Sequence, residues 1–219
     1  VVNPPVTSRV PNSVRAFTLV ELLVGATLSA AVMAAVLSSY IYLGRSLARL
    51  SNQQTLETEA RRTLGYFAQD VQSASGLTDT ANLSDSRVSL FVPTATGNNT
   101  VTYYYNATSA AVPVTINGTS VSMAATSLTR SVYDGTSVTS QTLLRNITDN
   151  DATTPKDLAI RFYDSSGNEY TGYTNYLSGI KQISLQFSTQ VGSSANGTRT
   201  LVYQVASNRL ILRNRGYLP

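Results

Sequence analysis

The chain of 219 residues contains no cysteine, no histidine and no tryptophan, and only 13% of its residues are charged. Without cysteine there is no disulfide, no thiolate metal site and no thiol nucleophile; without histidine the commonest general base and metal ligand is missing. No nucleophile with a matching base can be named from what remains, so the sequence reads as that of a non-enzyme with no cofactor and no metal. An exported domain is free to use disulfides, so here packing alone has to provide stability. The charged fraction is about half the ~25% usual for globular domains, and Ser, Thr and Asn fill the gap. The net charge of +4 and pI near 9.4 come from scattered arginines. No basic run is dense enough to follow a phosphate backbone, so no nucleic-acid partner is expected.

What the sequence does contain is one long apolar run, 17–43, of 27 residues, against the ~20 a helix needs to cross a bilayer. A secretory signal fits poorly, because its apolar core is typically about 7–15 residues. Glu21 is the only charged residue between Arg15 and Arg45. An ionisable side chain at the centre of a span costs about 2.5–3.5 kcal/mol and usually has a partner and a function. Near the helix start the macrodipole and free amides offset about 0.3–1 kcal/mol of this. A full positive charge does better, and a cut just before Phe17 would supply one as a new α-amine, on the same chain or on a neighbour. Arg9 and Arg15 precede the run and Arg45 and Arg49 follow it, so basic residues do not orient the span.

The string Phe17-Thr18-Leu19-Val20-Glu21-Leu22-Leu23-Val24 resembles the cleavage and methylation motif of type IV prepilins and type II secretion pseudopilins. The resemblance implies that a prepilin peptidase cuts between Ala16 and Phe17 on the cytoplasmic side and methylates the Phe17 amine. It also implies that Glu21 recruits the subunit and docks it in a filament. The family's glycine before the cut is replaced here by Ala16. The implied location is the inner membrane, single-pass, with the N-terminus cytoplasmic and the C-terminal domain periplasmic, followed by transfer to a pilus or pseudopilus. The implied partners are prepilin peptidase, inner-membrane lipid and other pilins or pseudopilins at a hetero-oligomeric filament tip.

After the span the pattern turns amphipathic without meeting a proline. Leu43, Leu47, Leu50, Leu64, Phe67, Ala68 and Val71 recur at spacings that mark one apolar stripe, with Arg61, Arg62, Gln69, Asp70 and Gln72 on the other side. Gly44 and Gly65 are candidate flexion points, each costing about 1 kcal/mol relative to alanine. Ser75-Gly76 reads as a stop, giving a mature helix of about 60 residues and ~90 Å. That surplus length suits side-to-side packing, for which Gly25, Ala26, Ala30 and Ala34, with Ser29, Ala31 and Ala35, allow close helix approach.

Beyond Gly76 the period changes to two and turn signals recur. Strands are expected at 88–92, 101–105, 112–116, 120–124, 127–133, 142–147, 158–163, 180–189, 200–206 and 209–213. Tight turns are expected at Asn117-Gly118, Asp134-Gly135, Ser166-Gly167 and Asn196-Gly197. Ile183, Leu185 and Phe187 alternate strictly and should face the core, most simply against the helix stripe. The expected fold is α+β: a long N-terminal helix, spanning in its first half and amphipathic in its second, packed on a mostly antiparallel β domain. The expected organisation is a leader at 1–16, a transmembrane half at 17–43, an amphipathic half at 44–76 and the β domain at 77–219.

This second half resembles the J-type minor pseudopilins of type II secretion and the W-type minor pilins of type IV pili. The strings that carry it are Ala60-Arg61-Arg62-Thr63-Leu64 with Phe67 and Asp70, Val101-Thr102-Tyr103-Tyr104-Tyr105, Leu128-Thr129-Arg130, Leu143-Leu144-Arg145-Asn146 and Leu158-Ala159-Ile160-Arg161-Phe162-Tyr163. The implied function is a low-abundance structural subunit that helps to initiate or cap the filament. The alternative is a membrane-anchored adhesin or ligand-binding β domain, for which Tyr103, Tyr104, Tyr105, Tyr163, Tyr170, Tyr173 and Tyr176 would offer an aromatic surface. Core and strand placement explains these tyrosines more simply. The acids Asp149, Asp151 and Asp157, or Asp164 and Glu169, match no calcium loop with defined ligand spacing, and solvated loops are expected there.

Overall fold

The computed structural model describes residues 17–78, 83–95, 97–147, 158–170, 179–191 and 201–212. One helix, α1 (Leu19–Ser73), leads into β1 (Gly76–Thr78), β2 (Arg87–Thr94), β3 (Gly97–Asn106), β4 (Val112–Ile116), β5 (Thr119–Met123) and β6 (Ser127–Tyr133). β7 (Val138–Leu144), β8 (Leu158–Tyr163), β9 (Gln182–Val191), β10 (Leu201–Ala206) and β11 (Leu210–Ile211) follow. The class is α+β, as the sequence indicates. The chain forms two compact units, Val1–Arg49 and Leu50–Pro219.

The described part of the first unit is helical from Leu19 onward, and every residue of it except Ser46 is exposed. α1 is long and apolar enough in this part to cross a membrane. It passes Gly44 and Gly65 without a break.

In the second unit, α1 buries Leu56, Ala60, Thr63, Phe67, Asp70 and Val71, a single stripe at spacings of three and four. Phe67 and Val71 are where the sequence puts them, while Leu64 is half-buried at the margin and Leu43, Leu47 and Leu50 are exposed. Asp70 is a correction: expected on the polar side, it is 5% exposed. The helix ends at Ser73, two residues before the expected stop, because Gly76 is taken into β1 opposite Phe91.

All the paired strands are antiparallel. One sheet has the order β1-β2-β3-β6-β7, and β4 with β5 makes a sheet of two. In a third sheet, β8 pairs one edge of β9 while β10 and β11 share the other. The expected turn at Asn117-Gly118 has φ 47° and 82°, the two left-handed residues of a type I′ hairpin. In the turn after β6, the Asp134 carboxylate accepts the Thr136 and Ser137 amides, which hold its pKa below the usual carboxylate range. Asn196-Gly197 lies outside the described residues.

β7 differs from the expected strand at 142–147. It starts at Val138, through a run whose Ser140 hydroxyl bonds that of Ser131, and it stops before Asn146, whose φ of 54° breaks the ladder. Ile183, Leu185 and Phe187 are fully buried in the same core cluster as Phe67 and Val71. Of the tyrosines, Tyr103 and Tyr105 are buried, Tyr104 and Tyr170 half-buried and Tyr163 buried, whereas Tyr173 and Tyr176 lie outside the described residues.

The helix is tied to the first sheet by one polar cluster. Tyr103 and Arg130 are register partners on β3 and β6, so their side chains leave the same face of the sheet. The Tyr103 hydroxyl donates to Asp70 Oδ2 at 2.6 Å, and Arg130 donates from Nε to Oδ2 at 2.7 Å and from Nη2 to Oδ1 at 2.9 Å. The Phe67 ring meets the Tyr103 ring edge-on at 5.1 Å, and the Arg130 guanidinium lies 5.4 Å from the Tyr66 ring centroid. Burial, reinforced by the Asp70 carboxylate, pushes the Tyr103 hydroxyl far above the ordinary phenol range, and the bond to Asp70 raises the Arg130 guanidinium.

Removing one member of such a pair strands the other. Arg130→Leu should lower unfolding free energy by about 3–5 kcal/mol, and Tyr103→Phe by about 1–2 kcal/mol. Urea unfolding of the detergent-solubilised chain, followed by tyrosine fluorescence, measures both. Because the folded Tyr103 holds its proton where the unfolded one loses it near pH ~10, stability should be full below that pH and fall above it. Tyr103→Phe should flatten that alkaline fall; an unchanged slope would contradict the assignment.

Candidate functional site

The candidate site is the start of α1. Phe17 and Thr18 precede the helix, and Glu21 occupies its first turn. The Glu21 carboxylate oxygen Oε2 accepts the Thr18 amide at 2.9 Å and the Thr18 hydroxyl at 2.9 Å. In return the Thr18 Oγ1 accepts the Glu21 amide at 3.2 Å. Thr18 is thus the N-cap and Glu21 the third helical residue of a reciprocal capping box. Its signature, Thr18-Leu19-Val20-Glu21, stands in the sequence and explains why the helix begins two residues after Phe17. An acid in an apolar run points first to a counter-charge, which hides the neutral donors of Thr18.

Glu21 is exposed, and so are Phe17, Gly25, Ala26, Ala30 and Ala34. Phe17, Glu21, Gly25 and Ser29 follow one another every four residues, and with Leu22 and Ala26 they line a shallow groove of about 430 Å³. Ala30 and Ala34 continue the row from Leu22 and Ala26 at the same spacing, so the small residues share one face. A Cβ added at Gly25 would meet nothing within 4 Å, so among the described residues no contact requires glycine there. The groove offers an apolar floor with a carboxylate at one end, which suits a cationic group carried on an apolar segment. Ala16, the other side of the expected cleavage point, lies outside the described residues.

The remaining candidates make internal contacts. The Asp164 carboxylate accepts the Asn168 side-chain amide and the Asn168 and Ser166 backbone amides, and these bonds hold its pKa below the usual carboxylate range. Glu169 pairs with Arg161 at 2.9 Å. Among the described residues no three acids come close enough to share a metal ion, and Asp149, Asp151 and Asp157 lie outside them.

The capping box carries its own expectation. Thr18→Val removes the hydroxyl and should cost the first turn about 0.5–2 kcal/mol, read as faster amide exchange at residues 19–22 in micelles. Thr18→Ser should restore the original rates, and identical exchange in Thr18→Val would contradict the cap.

Residues 11–37 match the family model of the prokaryotic N-terminal methylation motif. No curated protein and no solved structure matches the chain. The matched stretch takes in Phe17, the Thr18/Glu21 cap and the row of small residues through Ala34. The chain therefore carries a prokaryotic N-terminal methylation motif on a long apolar helix, as prepilin-like proteins do.

Proposed function

We propose that this chain is a minor pilin or pseudopilin, a structural subunit that helps to initiate or cap a type IV pilus or a type II secretion pseudopilus. It inserts in the inner membrane with its N-terminus in the cytoplasm and its β domain in the periplasm. Prepilin peptidase cuts between Ala16 and Phe17 and methylates the new amine. Glu21 then pairs with an N-terminal amine, its own or that of a neighbouring subunit, and the face bearing Gly25, Ala26, Ala30 and Ala34 packs against other pilin-like helices.

The observation that carries this reading is the methylation motif at residues 11–37, which sets one carboxylate at the start of the apolar stretch 17–43, otherwise uncharged and exposed throughout. An exposed acid among lipid-facing side chains is unfavourable, and an arriving ammonium group offsets that cost better than the Thr18 donors can. The minor-subunit assignment draws support from the strings around Phe67 and Asp70, Tyr103 and Arg130. They lie far apart in sequence yet meet in one cluster.

Glu21→Ala should leave membrane insertion intact and lower incorporation into sheared filaments by about tenfold or more, equivalent to ~1.4 kcal/mol of docking free energy. Immunoblots of the membrane and filament fractions measure both quantities, and unchanged incorporation would sink the pairing. Ala30→Leu combined with Ala34→Leu should likewise block assembly, whereas a β domain merely tethered to the membrane would tolerate the pair.

A further inference from the structure

Strands β4 and β5 stand apart from the rest of the β domain. They pair with each other, from Val112 with Met123 to Ile116 with Thr119, and with no other strand among the described residues. Their buried side chains, Val114, Ile116 and Met123, form a small cluster separate from the main core, with Tyr104 and Val138 packed at its margin. The hairpin therefore rests on the face of the five-stranded sheet that bears Tyr104, opposite the face that holds Tyr103 and Arg130 against the helix.

That face is lined with hydroxyls. The registers of β2, β3, β6 and β7 set Ser89, Thr102, Thr129, Ser131 and Ser140 on it together; the first four are buried and Ser140 is exposed. Ser89 bonds Thr102 at 2.9 Å and Ser131 bonds Ser140 at 2.7 Å. Thr129, 3% exposed, has an Oγ1 with no hydrogen-bond partner among the described residues. A buried hydroxyl without a partner favours any state that lets water reach it. On its outer side β4 borders a cleft of about 500 Å³ lined with Leu83, Ser84, Arg87 and Tyr104, so that edge is open.

Both ends of the hairpin meet at one side chain. Asn106, 1% exposed, donates from Nδ2 to the carbonyls of Ala110 and Ala124, each at 2.9 Å. Its Oδ1 accepts the amide and the hydroxyl of Thr108. Beside it, the Thr126 amide closes on the Thr108 carbonyl at 3.0 Å. Thr126 has a φ of 42°, a conformation that strains a β-branched residue.

We propose that the β4/β5 hairpin is a lid that opens and closes as one body while the rest of the domain stays folded, pivoting at Asn106 and Thr126 and uncovering the buried hydroxyls of Ser89, Thr102, Thr129 and Ser131. Opening breaks only the small cluster of Val114, Ile116 and Met123, leaves the main core in place, and lets water reach the hydroxyls. Sub-global openings of this kind involve elements with few buried apolar contacts.

Because the chain has no cysteine, a single introduced thiol reports accessibility without background. In the full chain in micelles, Met123→Cys, on the inner face of the lid, should react with a water-soluble aromatic disulfide about 100-fold faster than Leu128→Cys in the main core, at a rate insensitive to low urea. Adding Asn106→Ala should speed Met123→Cys about fivefold or more and leave Leu128→Cys unchanged. In the unsubstituted chain, amides of residues 112–123 should exchange together and faster than those of β3 and β6. Equal thiol rates with a shared urea dependence, or hairpin exchange no faster than that of β3 and β6, would overturn the proposal.

Discussion

The β domain depends on a buried carboxylate. Asp70 leaves the inner stripe of α1 and receives three donors, one from Tyr103 and two from Arg130. A charge taken out of water is tolerated only when its lone pairs are occupied and a counter-charge is close, so this contact fixes the helix more narrowly than apolar packing can. Leu and Val can slide past one another at little cost, whereas a two-point carboxylate to guanidinium contact has one geometry. The rotation of the helix, the facing of β3 and β6, and the placement of Phe67 against Tyr103 all agree with that contact. No disulfide is available to do the same work.

The same helix carries a second carboxylate in the opposite situation. Glu21 is exposed and, among the described residues, is held by the amide and hydroxyl of Thr18, three residues away. Asp70 is satisfied within its own domain, whereas among the described residues Glu21 has the neutral donors of Thr18, in a segment composed for an apolar environment. Intramolecular contacts account for Asp70. At Glu21 they account for the start of the helix, and the pairing proposed above would answer the setting of an acid at the head of an exposed apolar segment.

Much of this was legible in the sequence. The apolar run, the position of Glu21 and the change of period after Gly76 gave the helix, the β class and the candidate site, and strands β4, β6 and β8 fall on the expected residues. Asp70 was misplaced because a charged residue was sorted by polarity, although its spacing of three from Phe67 puts it on the buried stripe. β1 was absorbed into the helix stop, since a three-residue strand opposite Phe91 has no periodicity of its own. The start of β7 was hidden because hydroxyl pairs, not apolar alternation, hold it to β6. The capping box stands in the sequence as Thr18 and Glu21, but an acid in an apolar run points to an ion pair before it points to a cap.

The account rests on the peptide bond between Ala16 and Phe17. Mass spectrometry of the N-terminus of the protein isolated from native membranes and sheared filaments tests it most directly. The expected result is a chain that begins at Phe17 with one methyl group on its amine. A filament-associated or membrane-resident protein that keeps Ala16 and the residues before it, in cells with an active prepilin peptidase, would contradict the account.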